Sequence, residues 1–314
     1  MRYNNPIMTE RADPWIYKHT DGYYYFTASV PGYQSIELRR AKTINELKDG
    51  ELLTVWRAHD KGELSSLIWA PEIHYIRGKW YIYFSASNHE NERNQRNHHR
   101  MFVLENSHEN PMNDDWVEKG QVKTLFESFS LDATVFEHKG ELYYVWAQQD
   151  PRIQGNSNLY LARMKNPWTL ENKQILLSIP EYDWEKIGFE VNEAPAVIIR
   201  NNKVFITYSG SATDENYAIG LLWADADADL LNGFSWHKSK EPVFVSSEKN
   251  QQYGPGHNSF TVSEDGTTDL IVYHARPEKN KVGDPLDNPN RHARVQAFEW
   301  DENGFPVFGE PVAN

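Results

Sequence analysis

Arg77-Gly78 followed by Trp80-Tyr81-Ile82-Tyr83-Phe84 is a tight turn feeding an aromatic and β-branched strand, and the same phrase recurs along the chain. It appears as Asp21-Gly22 before Tyr23-Tyr24-Tyr25-Phe26, Lys139-Gly140 before Leu142-Tyr143-Tyr144-Val145-Trp146, and Asn201-Asn202 before Val204-Phe205-Ile206-Thr207-Tyr208. The last copy is Asp265-Gly266 before Leu270-Ile271-Val272-Tyr273. Gly, Asn and Asp supply the positive φ that a hairpin between two such runs requires. Turn positions 22, 78, 140, 202 and 266 lie 56, 62, 62 and 64 residues apart. Repeats of about 60 residues built from strands suit four-stranded propeller blades with long loops. The expectation is an all-β, five-bladed β-propeller with four antiparallel strands per blade, one domain over 1–314.

The residues before each turn carry the chemistry. Eight or nine positions back stand Asp13, Ala70 with Trp69 beside it, Asp132, Glu193 and His257. In a propeller the first strand of each blade lines the central axis, so the heads of these strands converge. Three acids and a histidine from different repeats would then meet in one funnel. Buried carboxylates are costly unless paired, and like charges held close raise a pKa. Each acid alone reads as a turn or strand-end residue; their shared register points to a common site.

The 314 residues are 39% hydrophobic, with 17 Tyr, 14 Phe and 11 Trp, enough for a large core. A net charge of −13 argues against nucleic acid as partner. No stretch approaches the ~18 apolar residues of a membrane span, so no membrane partner is expected. With no Cys, disulfides and thiolate metal sites are excluded. No apolar leader follows Met1, and a cytosolic protein is the expectation, a trimmed leader making it secreted instead.

Two polar loops interrupt the strands. Asn88 to Arg100 contains His89, His98 and His99, which read as a solvated loop before they read as metal ligands or a mouth lining. Glu278 to Asn290 interrupts the last blade. Asn216 to Leu231 reads as a strand followed by at most a turn of helix near Asp225–Leu231.

Two acids flanking a bond, one protonated and one ionised, are what glycoside hydrolysis needs, and a third can tune the donor. Aromatic rings suit sugar faces, although strand packing accounts for most of them. Over essentially its full length the chain resembles family 43 of the glycoside hydrolases, five-bladed propellers acting on arabinose- and xylose-containing polysaccharides. Arg11-Ala12-Asp13-Pro14 resembles the family's general-base motif, Leu131-Asp132-Ala133 its pKa-modulating aspartate, and Asn192-Glu193-Ala194-Pro195 its general-acid motif. Leu67-Ile68-Trp69-Ala70-Pro71-Glu72 resembles its W-A-P-[DE] segment, which implies that Trp69, with Ala70 and Leu131, lines the sugar pocket. Arg291-His292-Ala293-Arg294 resembles the segment bearing a substrate-contacting arginine, Arg291 first and Arg294 second. Gly254-Pro255-Gly256-His257 resembles the axial histidine motif, which implies a hydrated structural calcium at His257. A monovalent ion or water stays open there, because one imidazole makes an oxygen-poor site. No cofactor is expected for the chemistry.

The resemblance implies an inverting hydrolase with Asp13 as general base, Glu193 as general acid and Asp132 as modulator of Glu193. Inversion needs carboxyls about 6.5–9.5 Å apart, and blades one and four are not adjacent. The chain is most similar to single-domain exo-acting α-L-arabinofuranosidases. The expected substrates are arabino-oligosaccharides or arabinan, trimmed from α-1,5-linked ends. A β-xylosidase, an endo-α-1,5-arabinanase and a sugar-binding lectin are the alternatives.

Overall fold

The computed structural model describes residues 2–88, 98–279 and 283–314. Blade one is β1 (Ala12–Lys18), β2 (Tyr24–Ser29), β3 (Ser35–Ala41) and β4 (Glu51–Arg57). Blade two is β5 (Ser66–Ile76), β6 (Lys79–Ser87), β7 (Arg100–Asn106) and β8 (Val117–Gln121). Blade three is β9 (Ser130–His138), β10 (Glu141–Gln148), β11 (Asn158–Asn166) and β12 (Thr169–Ser178). Blade four is β13 (Asn192–Arg200), β14 (Lys203–Gly210), β15 (Ala218–Asp225) and β16 (His237–Lys238). Each is an antiparallel meander in chain order. The expected five-bladed all-β propeller is therefore present.

Among the described residues blade five departs from four strands. It holds β17 (Tyr253–Val262), β18 (Asp269–Arg276) and β19 (His292–Ala297), with β20 (Glu299–Trp300) and β21 (Pro306–Val307) paired separately. The open edge of β19 takes the N-terminal segment instead. Met8 and Ala293 exchange both backbone hydrogen bonds, and the Asn5 side chain bonds both the N–H and the C=O of Val295. Residues from the start of the chain thus close the ring against its last blade and cover an edge that would otherwise be unpaired.

The turns behave as their residues dictate. Arg77-Gly78, Lys139-Gly140 and Asn201-Asn202 all take positive φ and join adjacent strands through two residues. The first and last hairpins are longer, spanning 19–23 and 263–268. The core lies between blades. In β2, Tyr24, Phe26 and Ala28 pack with Leu270, Val272 and Val295 of blade five, while Tyr25 packs with Ile73, Trp80 and Ile82 of blade two. Such strands are apolar on both faces, which is why they read as continuous aromatic runs. The segment after β15 continues in turns through Leu231, with a single 3₁₀ turn at Gly233–Ser235.

Candidate active site

Each inner strand carries a bulge near its head, where one residue adopts positive φ: Asp13 (57°), Ala70 (46°), Asp132 (50°), Ala194 (50°) and His257 (44°). The ladder skips at the same places, between Ala12 and Trp15, Trp69 and Glu72, Glu193 and Ala196, and Gly256 and Ser259, and opposite Val145 and Ala147 in blade three. A non-glycine residue in this region costs about 1–3 kcal/mol and marks sites the surroundings over-determine. The bulge turns the backbone so that neighbouring residues present different faces to the funnel.

The bulges correct the expected register. Asp13, Ala70, Asp132 and His257 are equivalent, but blade four places Ala194 with them. Glu193 belongs one position earlier, with Ala12, Trp69, Leu131 and Gly256. Counting back from the turns slipped by one because the outer hairpins are longer than the two-residue turns of blades two to four. The consequence is two rings. Asp13, Asp132 and His257 are buried in the inner one, whereas Trp69 and Glu193 in the outer one stay partly exposed.

In the inner ring His257 Nδ1 lies 3.1 Å from Asp13 Oδ1 and 3.9 Å from Asp132 Oδ2. Arg291 Nη1 is 3.4 Å from Asp13 Oδ1, and the Ser29 hydroxyl donates to Asp13 Oδ2 at 2.5 Å. Burial alone would raise the Asp13 pKa, yet His257 and Arg291 hold it well below the ordinary carboxylate value. Burial likewise opposes charge on His257, but Asp13 and Asp132 raise its pKa to about 9, so it is an imidazolium. Asp132 is pushed up to about 6 by burial and by Asp13, against the pull of His257. Its Oδ2 accepts the backbone N–H of Ala194 at 3.2 Å.

Glu193 sits in a different field. Burial and the charge of Asp132 push it up to about 8, partly offset by the Tyr217 hydroxyl, which donates to Oε1 at 2.8 Å. Tyr217 stacks on His274 with ring centroids 5.6 Å apart and planes 5° off parallel. Burial drives His274 down to about 3, so its neutral Nδ1 accepts the Asp13 N–H at 3.1 Å. A path of contacts therefore runs from Asp13 through His274 and Tyr217 to Glu193. Gly256 makes room for it: a Cβ there would fall 2.2 Å from Tyr217 Cε1.

Trp69 stacks on His99 at 4.0 Å and meets the edge of Tyr33 at 6.1 Å. His99 Nε2 is 2.9 Å from the Leu67 carbonyl. His99 thus supports Trp69 in the mouth of the site, while His89 lies outside the described residues. Ala70 donates its N–H to Ser29 Oγ, and Leu131 is buried beneath the funnel among blade three and four residues. Arg291 also reaches Tyr33, 3.4 Å away. Arg294 does not come to this site; its guanidinium binds Asn314 and the Val312 carbonyl and holds the C-terminal segment. Arg276, on the next strand, ties the rim by donating to Thr213, Pro285 and Asn288. Sequence reasoning missed Tyr217, His274, Ser29 and Ser209 as site residues. For Ser29, Ser209 and His274 the signal available was a polar residue near the end of an otherwise apolar second strand, whereas Tyr217, just before β15, left none.

Among the described residues no group of three or more His, Cys, Asp or Glu is arranged to hold a metal ion. No helix of the described residues is long and apolar enough to cross a membrane.

The sequence pattern of glycosyl hydrolases family 43 matches residues 3–306. An extracellular exo-α-(1→5)-L-arabinofuranosidase of Streptomyces avermitilis is 52% identical over 312 residues, 99% of this chain and 64% of that protein. The chain thus spans less than two thirds of that relative's length. The enzyme of the same name from Streptomyces chartreusis is 52% identical over 283 residues, 90% of this chain and 85% of its own. The crystal structure of an α-L-arabinofuranosidase from Lactobacillus brevis superposes with a TM-score of 0.96 at 57% identity, covering 99% of this chain and 97% of that one. Both Streptomyces relatives are named extracellular, which overturns the cytosolic expectation. That expectation rested on where the chain begins, and nothing in the folded residues specifies a compartment. The chain belongs to family 43 of the glycosyl hydrolases.

Proposed function

We propose that residues 1–314 form one catalytic unit, an inverting exo-α-1,5-L-arabinofuranosidase in which Asp13 is the general base and Glu193 the general acid. The observation that carries this reading is the opposite displacement of two carboxyls in one funnel, Asp13 held well below its ordinary value and Glu193 pushed up to about 8. At neutral pH one is ionised and the other protonated, which is the division of labour that glycoside hydrolysis requires. Asp13 takes a proton from water as the water oxygen bonds to the anomeric carbon. The glycosidic C–O bond breaks, and the Glu193 proton passes to the departing oxygen. Asp132 holds the Glu193 proton in place through its charge.

Trp69, backed by His99 and edged by Tyr33, offers a ring face to the sugar, and Arg291 offers a guanidinium beside Asp13. Glu10, Ser29, Pro31, Tyr33, Pro289 and Arg291 line a small cleft next to the base. Attack at a terminal sugar is supported by the names of the Streptomyces relatives, both exo-acting. The names of the relatives support arabinose as that sugar. Sizing the early products from α-1,5-arabino-oligosaccharides tests the substrate. Arabinose alone is expected. Arabinobiose and longer fragments from polymer would indicate an endo-arabinanase, and faster turnover of xylobiose would indicate a β-xylosidase.

Calcium fits these residues poorly as a directly held ion. Calcium takes six to eight oxygens, whereas His257 spends Nδ1 on Asp13 and only the unpartnered buried amide of Asn258 stands beside it in sequence. A hydrated ion touching the protein thinly is the form compatible with this set, and no step of the hydrolysis runs through it. Such an ion would stabilise the fold by mass action. Prolonged chelation should then lower the melting temperature reversibly, and an unchanged melt would remove the ion from the account.

A further inference from the structure

The five blades offer an internal comparison at the residue opposite the pre-bulge position on each second strand. These residues are Ser29, Ser85, Ala147, Ser209 and His274, paired with Ala12, Trp69, Leu131, Glu193 and Gly256. Three of them accept the backbone N–H of the bulge residue in the next blade. Ser29 Oγ accepts from Ala70 at 2.9 Å, Ser209 Oγ from His257 at 2.9 Å, and His274 Nδ1 from Asp13 at 3.1 Å. The Ser85 hydroxyl, at the junction of blades two and three, is buried without a partner.

The junction of blades three and four is the exception in kind. Ala147 has no acceptor to offer, and the Ala194 N–H is taken by Asp132 Oδ2 instead. The equivalent junction of blades one and two shows what a hydroxyl does. There Ser29 stands between the two partners, donating to Asp13 and accepting from Ala70. The acid is one group removed from the next blade's backbone. In blade three the missing hydroxyl brings the acid into direct contact with the residue that follows Glu193.

We propose that Ala147 is a positioning residue for the acid side of the site: by withholding a hydroxyl it docks Asp132 on the Ala194 N–H and so fixes the spacing between Asp132 and Glu193. A serine there would recreate the blade-one arrangement, with the hydroxyl inserted between Asp132 and Ala194. The Asp132 charge would then lie farther from Glu193 and retain its proton less well. This inference rests on the assignment of Glu193 as general acid.

The test compares Ala147→Ser with Ala147→Gly on arabinobiose and on a nitrophenyl arabinofuranoside, as functions of pH. Serine fits at the same place in blades one, two and four, so the fold should tolerate it. Ala147→Ser should lower kcat on arabinobiose about tenfold with KM within twofold, spare the nitrophenyl substrate, and move the basic limb to lower pH. Ala147→Gly, which also lacks a hydroxyl, should keep the wild-type limb. Equal behaviour of the two variants, or an unmoved limb in Ala147→Ser, overturns the proposal. Should Ala147→Ser not fold, Ser29→Ala makes the reciprocal change: its crystal structure should show the Asp13 carboxylate docked on the Ala70 N–H as Asp132 is on Ala194, and an Asp13 carboxylate left in place overturns the proposal. Wild-type protein inactive on arabinobiose would instead defeat the reading on which the inference rests.

Discussion

Asp13 meets an imidazolium and a guanidinium, whereas Glu193 meets a second acid and a phenol hydroxyl. Both are carboxyls in one funnel, so their different protonation comes from neighbours. Two consequences follow at this scale. With Glu193 pushed up to about 8, kcat/KM should fall as pH rises through that value, because the donor proton is lost. On the acid side activity should persist below the ordinary carboxylate range, since Asp13 stays ionised; both limbs belong to the interacting set of acids. Glu193→Ala should cost about 10²–10⁴-fold on arabinobiose, whose leaving group needs a proton, and far less on a nitrophenyl glycoside. Asp13→Ala should be severe on both. Steady-state rates on the two substrates check this, and equal losses for Glu193→Ala would show that the acid is misassigned.

The bulged inner strands and their second-strand partners set where these groups stand. Gly256 and Tyr217 show how tightly, because a Cβ at 256 would meet the ring at 2.2 Å. Gly256→Ala should displace Tyr217, cost about 1–3 kcal/mol through overpacking, and cut activity at least tenfold. Tyr217→Phe, which loses only the hydroxyl that favours ionised Glu193, should instead raise the basic limb with the fold intact. Thermal melts and pH profiles of the two variants separate packing from proton control. This is also the scale at which the sequence was partly silent. The turns and aromatic runs were legible because positive-φ residues and doubly buried strands leave local marks. Asp13, Asp132 and His257 were legible because polar residues stand out at the heads of apolar strands. The one-residue slip at Glu193 was hidden, since bulges and hairpin lengths leave no compositional mark. Tyr217 and His274 act across blades and His99 across the width of blade two, and a contact between residues distant in sequence cannot be read from spacing. Blade five's missing fourth strand was hidden for the same reason, its edge being covered by residues from the other end of the chain.

Across the whole molecule, five interblade cores hold the inner strands in a ring, and the ring delivers one ionised and one protonated carboxyl to its mouth from non-adjacent blades. A base and an acid on opposite sides of the sugar, with water between sugar and base, yields single displacement at the anomeric carbon. His257 and Arg291 keep Asp13 ionised, as the proposed base must be to accept a proton from water. The most direct measurement is proton NMR of the first anomer released from α-1,5-arabinobiose, recorded before mutarotation. β-L-Arabinofuranose is the expected initial product. An initial α-anomer would mean retention through a covalent intermediate and would contradict the assignment of Asp13 as base.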